Sequence, residues 1–347
     1  MKIESVSLSL PSWKLTNEEV VDLIRHHSKP VFHGNLEKTL KKINFILGKT
    51  GAETRYWLDR GKNEKPIDHI IKATEESLKK ANLEKDDIDL LVYVGVGRGV
   101  IEPGDSYFVA KKLGMTKVRC FDVIDACMSW ASTIQLIDSL FKTEFYKRAM
   151  IINGEFIVHG GALFKNYALK NDKQLEYTFP SYTVGEGATC TILSPNEPKD
   201  FKFHFSSRSD LANLCTIPLP EYEDYCEIIN ETPNNGAMYF TSYGHQMHQL
   251  GSNELEKLFK TLSINKNDID VVFTHASSKS EWHKCAESVG ISDKVYHIYQ
   301  KTGNLISASI PSAMSLALDE NKLKRSDRVL SWVGSAGMSF SVIDFTF

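Results

Sequence analysis

Cysteine is scarce in this sequence, and no two cysteines are spaced for a redox motif or a zinc ribbon. The six cysteines lie at positions 120, 127, 190, 215, 226 and 285 of the 347 residues. Cysteines spread this widely over a long chain are typical of reduced thiols rather than of a disulfide framework. The glycine-rich and histidine-bearing stretches also lack the spacing of a nucleotide loop or a zinc site. We therefore expect no metal and no bound cofactor.

Long apolar runs and clustered positive charge are also missing. No stretch approaches the ~20 apolar residues of a membrane helix, and Glu4 with three serines stands where a signal peptide needs an apolar run. Forty-one scattered basic residues against 44 acidic ones leave a net charge of -3, which argues against a nucleic-acid partner. Hydrophobic residues make up 42% of the chain, so a large core is available. We expect a cytoplasmic protein of about two domains, with no membrane insertion.

An internal repeat is the most informative feature of the chain. The segment 87–95 (DIDLLVYVG) reappears as 268–276 (DIDVVFTHA). In both copies an amphipathic helix precedes the acidic turn, and a short apolar run typical of a buried strand follows it. Further strand-like runs begin at Val118 and Val295. Each run leads into a helix of small and apolar residues, at 128–141 in the first copy and 306–318 in the second. A third strand follows each helix, at 149–153 and 329–333.

The repeat predicts an α/β fold of two halves related by a pseudo-twofold axis. We expect an N-terminal half over 1–170 and a C-terminal half over 171–347, with an aromatic-rich, cap-like insertion around 157–260. The alignment of the copies places Cys127 and Asn304 in equivalent positions. The first 65 residues are predicted to be irregular, apart from helices at 16–26 and 36–47.

Cys127 is the candidate nucleophile because of its neighbours. It lies at a predicted strand-to-helix junction beside Ala126, Met128 and Ser129. The positive end of a helix dipole is expected to lower the pKa of a thiol there. The alternative for a lone cysteine is a buried structural residue, which is how the other five are interpreted.

His275 and Asn304 are the candidate partners of this thiol. His275 ends the strand of the second repeat, where an imidazole can donate to a developing oxyanion or carry a proton. Asn304 supplies an amide donor that does not titrate. A cysteine, a histidine and an asparagine from three separate segments indicate thioester chemistry.

The motif series resembles that of the β-ketoacyl-acyl-carrier-protein synthase III family of the thiolase superfamily. The resemblance rests on Cys127 after DA, His275, the run 303–311 (GNLISASIP) and the glycine-containing segments 185–188 (GEGA) and 334–337 (GSAG). It implies a layered α-β-α-β-α thiolase fold, a homodimer and an acyl-Cys127 intermediate. It also implies an oxyanion hole formed by the backbone N–H groups of Cys127 and of either Ala336 or Gly337.

Departures from the housekeeping members of that family favour a particular branch. The run 276–280 (ASSKS) follows His275 where those members place a carrier-docking arginine. The added run 98–103 (RGVIEP) resembles the branch that joins two acyl chains without decarboxylation, which includes head-to-head condensing enzymes and α-pyrone-forming ketosynthases. The resemblance implies that Glu102 is the base that removes an α-proton, acting in the other subunit's site; the alternative is a solvated loop glutamate.

These features together predict an acyltransferase that carries out non-decarboxylative Claisen condensation in secondary-metabolite, pyrone or lipid biosynthesis. Its substrates are expected to be thioesters of coenzyme A or of an acyl carrier protein. The alternatives are decarboxylative condensation with a malonyl thioester, simple acyl transfer to oxygen or nitrogen, and an inactive scaffold subunit of a heterodimeric synthase. The complete set of Cys127, His275 and Asn304 argues against the scaffold.

Overall fold

The computed structural model describes residues 1–158, 162–196, 201–226, 236–262 and 264–347. The strands are β1 Lys2–Ser9, β2 Trp13–Thr16, β3 Thr54–Trp57, β4 Leu90–Val94, β5 Arg119–Val123, β6 Ala149–Glu155, β7 Gly187–Ser194, β8 Lys202–Ser207, β9 Cys215–Thr216, β10 Thr241–Ser242, β11 Val271–Thr274, β12 Val295–Tyr296, β13 Arg328–Ser335 and β14 Ser339–Thr346. The helices are α1 Asn17–Ser28, α2 Leu36–Thr50, α3 Pro66–Ala81, α4 Asp105–Leu113, α5 Ser129–Phe141, α6 Leu175–Thr178, α7 Gly244–Lys260, α8 Lys279–Ser288, α9 Tyr299–Thr302 and α10 Ser309–Asp319.

Two five-stranded mixed sheets form the framework. The first has the order β1-β7-β6-β4-β5 and the second β12-β11-β13-β14-β8. In each sheet the three repeat strands pair in parallel: β4 lies between β5 and β6, and β11 lies between β12 and β13. The predicted pseudo-twofold repeat of strands is therefore confirmed.

Five layers follow from which side chains share a core. Alternate residues of β4 face opposite ways, because successive strand side chains point to opposite faces. Val92 joins the central core with α5 and α10, whereas Leu91 packs with α3 and α4. In the second sheet Phe273 faces the central core, and Val272 packs against α7 and α8. The order is helices, sheet, central helices, sheet, helices.

β1 is a strand where the sequence predicted irregular chain. It pairs with β7 along its length, from Lys2 opposite Ser194 to Ser9 opposite Ala188, so β1 belongs to the first sheet. The alternating serines of β1 face α3: Ser5 donates to the Ser77 carbonyl at 2.8 Å, and Ser7 donates to the Ala73 carbonyl at 2.6 Å. A serine row normally indicates a solvated face, but here it is buried and hydrogen-bonded to a helix.

The division between the halves differs from the predicted boundary at residue 170. β7 completes the first sheet and β8 belongs to the second, so the division lies between Ser194 and Lys202. The predicted insertion around 157–260 is therefore not one cap, because it contains a strand of each sheet and α7. The described helices include none that is both long and apolar enough to cross a bilayer.

Candidate active site

Cys127 lies in a tight turn between β5 and α5. Ala126 has a φ of 44°, a left-handed conformation that a residue with a side chain rarely adopts. The Met128 N–H donates to the Asp125 carbonyl at 2.8 Å, and the Ser129 hydroxyl donates to the Ala126 carbonyl at 2.7 Å. The turn places Cys127 at the predicted strand-to-helix junction, half-buried in the wall of a cavity.

The second half contains the same turn before α10. Ile306 has a φ of 52°, and the Ser309 hydroxyl donates to the Ile306 carbonyl at 2.8 Å. Both turns are 3₁₀ helices of three residues that run directly into an α-helix. The residue equivalent to Cys127 is therefore Ser307. The predicted equivalence of Cys127 with Asn304 is wrong by three residues.

Each turn is held by the last residue of the other half's strand. Ser335, at the end of β13, accepts a hydrogen bond at 3.2 Å from the Met128 N–H. Glu155, at the end of β6, accepts from both the backbone N–H and the hydroxyl of Ser307. Glu155 is fully buried and also accepts from the N–H groups of Val96 at 3.3 Å and Gly97 at 2.9 Å. This exchange of contacts fixes the two turns against each other.

One large cavity brings together three of the four predicted catalytic side chains. Cys127, His275 and Asn304 all line a cavity of about 1350 Å³. Much of the remaining wall is apolar and comes from several elements, including Ile157, Leu163, Leu175, Phe179, Ile217, Phe240, Leu255 and Phe340.

The environment of Cys127 raises the pKa of its thiol well above the ordinary range. The main cause is burial, and Cys215 and Glu155 act in the same direction. A hydrogen bond with Ser335 opposes these effects only in part. The sequence predicted a lowered pKa from the helix dipole, whereas burial of the site acts in the opposite direction.

His275 follows β11 and is almost entirely buried. Burial lowers its pKa to about 3, and His248 adds to this effect. Its Nδ1 atom has no hydrogen-bond partner within the described part of the chain. The imidazole is therefore neutral at physiological pH, and a hydrogen bond with the Ile306 backbone opposes the fall in its pKa only in part.

Asn304 is held by backbone contacts on both sides. Its N–H donates to the Thr183 carbonyl at 2.8 Å, and its carbonyl accepts from the Gly185 N–H at 3.0 Å. Its side-chain oxygen accepts from the Ile306 N–H at 2.8 Å. Because that oxygen is engaged, the Nδ2 amide of Asn304 is left to donate into the cavity.

The two candidates for the second oxyanion donor differ in position. Both lie in the turn between β13 and β14, but Ala336 is among the residues that line the cavity and Gly337 is not. Gly337 has a φ of 114°, which suits glycine. Of the two candidates, Ala336 therefore shares the cavity wall with Cys127.

Glu102 does not join the other three residues within one chain. It lies in the loop between β4 and α4, is exposed, and is not among the residues lining the cavity. Arg98, from the same sequence run, turns inward instead, with its Nη1 3.5 Å from the Asp122 carboxylate.

Several residues around the site were missed by the sequence analysis. Glu155 and Ser335 anchor the two turns, while Cys215 and His248 share the cavity with Cys127. Gly95 gave an indirect signal: a Cβ on this residue would collide with the Glu155 carboxylate, so only glycine fits there.

Comparisons with known proteins agree with the fold and with the motif series. Residues 259–345 match the family model described as 3-oxoacyl-[acyl-carrier-protein] synthase III C terminal. A β-ketoacyl-[acyl-carrier-protein] synthase III of Campylobacter jejuni is 24% identical over 308 residues, covering 87% of this chain and 89% of the relative. The same enzyme of Clostridium novyi is 22% identical over 349 residues, covering 98% and 97%.

Solved structures show the same fold over almost the whole chain. OleA of Xanthomonas campestris, solved with bound lauric acid and lauroyl-CoA, superposes with a TM-score of 0.81 at 18% identity, covering 99% of this chain and 98% of that one. The 3-oxoacyl-[acyl-carrier-protein] synthase III of Aquifex aeolicus gives a TM-score of 0.78 at 19% identity, covering 100% and 99%. These likenesses confirm the predicted α/β thiolase fold.

The protein therefore has the thiolase fold and resembles ketosynthase-type acyltransferases. More specifically, its sequence is similar to the β-ketoacyl-[acyl-carrier-protein] synthases III over most of the chain.

Proposed function

We propose that the protein condenses two acyl thioesters without decarboxylation. An acyl group from coenzyme A or an acyl carrier protein is first transferred to Cys127. A second acyl or β-ketoacyl thioester then loses an α-proton, and its carbanion attacks acyl-Cys127. A β-keto product forms, and the Cys127 thiolate is released.

The size and the wall of the cavity carry this proposal. Small-molecule pockets usually occupy about 300–1000 Å³, whereas the cavity at Cys127 occupies about 1350 Å³. Its apolar side chains, such as Leu163, Phe179 and Ile217, suit alkyl chains rather than a two-carbon primer. A cavity of this size beside Cys127 supports a reaction between two acyl chains.

The polar residues have distinct roles in the proposed reaction. Asn304 and neutral His275 donate hydrogen bonds to the enolate oxygen of the second thioester. The backbone N–H groups of Cys127 and Ala336 stabilise the oxyanion on the acyl group. Glu102 removes the α-proton, because an acyl thioester without a carboxylate to lose needs a base.

Glu102 acts in the active site of a second subunit, and we propose a homodimer for this reason. β5 is the edge strand of the first sheet, next to the Glu102 loop. Large apolar side chains are exposed around this edge, including Ile101 at 74% and Ile124 at 61%. Exposed apolar patches of this kind mark protein interfaces, and a second copy covering this edge would bury them.

The Glu102→Gln variant tests the condensation step. It keeps the shape and the hydrogen bonding of the side chain but removes the base. Acylation of Cys127 should survive, while condensation should fall by about 10²–10⁴-fold. The measurements are intact mass for the acyl adduct and product formation from lauroyl-coenzyme A. Unchanged product formation, with unchanged exchange of α-protons for deuterium, would contradict the proposal.

Subunit mixing tests whether Glu102 crosses the interface. Heterodimers of Glu102→Gln and Cys127→Ala chains pair one intact Cys127 with the intact Glu102 of the other chain. These mixtures should recover condensation that neither homodimer shows. Mixtures that stay inactive after verified subunit exchange would place both groups in one chain.

Decarboxylative condensation is the second candidate, because the curated relatives are named as β-ketoacyl-[acyl-carrier-protein] synthases III. It predicts that a malonyl thioester supports turnover without Glu102. We further propose a cytoplasmic role in lipid or secondary-metabolite biosynthesis.

A further inference from the structure

The loop that carries Glu102 connects β4 to α4 over residues 95–104. At its tip Ile101, Glu102 and Pro103 are all exposed. None of these three residues makes a hydrogen bond to another residue of the described chain. The Glu102 carboxylate therefore takes its position from the two stems of the loop, on either side of the tip.

The Asp122 carboxylate holds the stem that follows the tip. Asp122 lies in β5 opposite Tyr93 of β4, and its side chain is only 11% exposed. Its Oδ2 accepts from the Asp105 N–H at 2.9 Å, and its Oδ1 accepts from the Ser106 N–H at 3.1 Å. These are the first two N–H groups of α4, which have no acceptor within the helix and favour a negative charge. Asp122 therefore fixes the place where α4 begins.

The same carboxylate also holds the stem that precedes the tip. The Arg98 Nη1 lies 3.5 Å from the Asp122 Oδ2, and the Arg98 Nη2 donates to the Gly95 carbonyl at 3.0 Å. A second contact crosses the loop, because the Gly99 N–H donates to the Asp105 carboxylate at 3.0 Å. Both stems are thus bound to one nearly buried side chain on a strand of the first sheet.

We propose that Asp122 is a positioning residue for the Glu102 base, acting through Arg98 and the start of α4. The inference rests on the proposed role of Glu102. Asp122 is not among the residues that line the cavity, so it would act through the loop and not on the substrate. A reacting group must be held close to its productive geometry, and a displacement of about 1 Å can cost about 10²-fold in rate. Loosening either stem would let the exposed tip move.

The Asp122→Asn variant tests this role in condensation. The amide keeps the size of the side chain, but it loses the charge that pairs with Arg98 and leaves one N–H of α4 without its acceptor. Condensation of lauroyl-coenzyme A should fall by about 10²-fold. Single-turnover acylation of Cys127, followed by intact mass, should change little, because this step does not use Glu102.

Two results of this experiment would overturn the inference. One is an unchanged condensation rate in the folded variant. The other is an equal loss in both steps, which would mean that Asp122 supports the turn of Cys127, further along the same chain.

A double-mutant cycle separates positioning from general damage to the site. If Asp122 acts through Glu102, Asp122→Asn should add little to the loss that Glu102→Gln already causes. Product formation by the double variant should therefore match that of Glu102→Gln within about twofold. Losses that multiply would show independent effects and would overturn the inference.

Mixed dimers show at which site the effect appears. In mixtures of Glu102→Gln and Cys127→Ala chains, the Cys127→Ala chain supplies the intact Glu102. Asp122→Asn added to that chain should lower condensation, whereas Asp122→Asn added to the Glu102→Gln chain should not. The reverse pattern would assign the effect to the turn of Cys127 and contradict a positioning role.

Asp89→Asn is the matched control. Asp89 is an exposed residue directly before β4 whose carboxylate also accepts from two consecutive backbone N–H groups, those of Lys147 at 2.8 Å and Arg148 at 2.9 Å. It lies at the other end of β4 from the loop, so this variant should keep condensation. Thermal unfolding checks that each variant is folded. Arg98→Gln releases the other stem and replaces Asp122→Asn, with the same expected results, if that variant does not fold.

The outcomes separate this inference from the proposed function. If Glu102→Gln condensed at the wild-type rate, the proposed base would fail, and the inference with it. If Glu102→Gln were impaired and Asp122→Asn were not, only the inference would fail. A selective loss in Asp122→Asn that disappears in the Glu102→Gln background would support both.

Discussion

The turns at Cys127 and Ser307 have the same backbone but different environments. Ser307 is buried and bound by a carboxylate, the side chain of Glu155. Cys127 faces the cavity, and its turn is bound by the neutral hydroxyl of Ser335. The internal repeat therefore places Cys127 and Ser307 at equivalent positions, and the side chain that binds each turn determines what the residue there can do. One position keeps a side chain free to react, whereas the other fixes the interface between the halves.

The largest difference between the two turns should appear when each central side chain is removed. Cys127→Ala should abolish acylation, because it removes the nucleophile and breaks no ion pair. Ser307→Ala should still form the acyl enzyme, since this hydroxyl is not among the groups lining the cavity. Intact mass after incubation with acyl-coenzyme A compares the two variants. Acylation of Cys127→Ala would show that the nucleophile is another residue.

Glu155→Ala should cause the next largest effect, on stability. It leaves four donors without their acceptor, namely the N–H groups of Val96, Gly97 and Ser307 and the Ser307 hydroxyl. Each buried unpaired group costs about 1–3 kcal/mol, so we expect a loss of about 3–5 kcal/mol after relaxation. Denaturant unfolding measures it, with Ser335→Ala as the milder counterpart at about 1 kcal/mol. Equal losses of unfolding free energy in the two variants would contradict the different roles of Glu155 and Ser335.

Asn304→Ala should separate the two chemical steps. Loss of one oxyanion donor typically costs about 10²–10³-fold in turnover. Condensation should show this loss, whereas acylation should change less, because it uses the Cys127 sulfur and the backbone donors. Single-turnover acylation is compared with steady-state turnover. A similar loss in both steps would mean that Asn304 serves the first oxyanion as well.

The smallest predicted effect is a difference in acid sensitivity. The pKa of His275 is lowered from 6.5 to about 3 in the folded protein. Between these values the unfolded chain binds a proton that the folded chain does not, so stability present above pH 6.5 is lost as the pH falls. The slope is about 1.4 kcal/mol per pH unit at most. Denaturant unfolding of His275→Gln between pH 7 and pH 4 should show a shallower slope than the wild type. Identical slopes would assign the acid sensitivity to other groups.

Much of the secondary structure could be predicted from local patterns. The amphipathic helix predicted ahead of the first acidic turn corresponds to α3 over Pro66–Ala81, and the apolar run predicted as a buried strand after that turn is β4. α1 is favoured locally by a capping box, in which Thr16 and Glu19 satisfy each other's backbone N–H groups. β1 could not be predicted in the same way, because the burial of its serines depends on α3, about 70 residues away.

The site was harder to predict where it depends on contacts between the halves. Sequence alignment placed Asn304 opposite Cys127, although Ser129 and Ser309 mark the correct register two residues after each turn centre. The pKa of Cys127 depends on burial among residues from both halves, which no local pattern shows. The interpretation of Glu102 stays a prediction, since its proposed partner lies in a second chain.

The pairing of β1 with β7 has a consequence for folding during synthesis. Residues 2–9 of the chain pair with residues 187–194, and Arg325 donates to the carbonyls of Ile3 and Glu4 at 2.6 Å. At about 5–20 residues per second, the ribosome needs roughly 10–40 s to deliver β7 after β1. During that interval β1 has no β7 to pair with, and its apolar side chains are not yet buried. β1 is therefore made long before β7 but is secured only after β7 emerges, and until then its edge is open to chaperones or to misassociation.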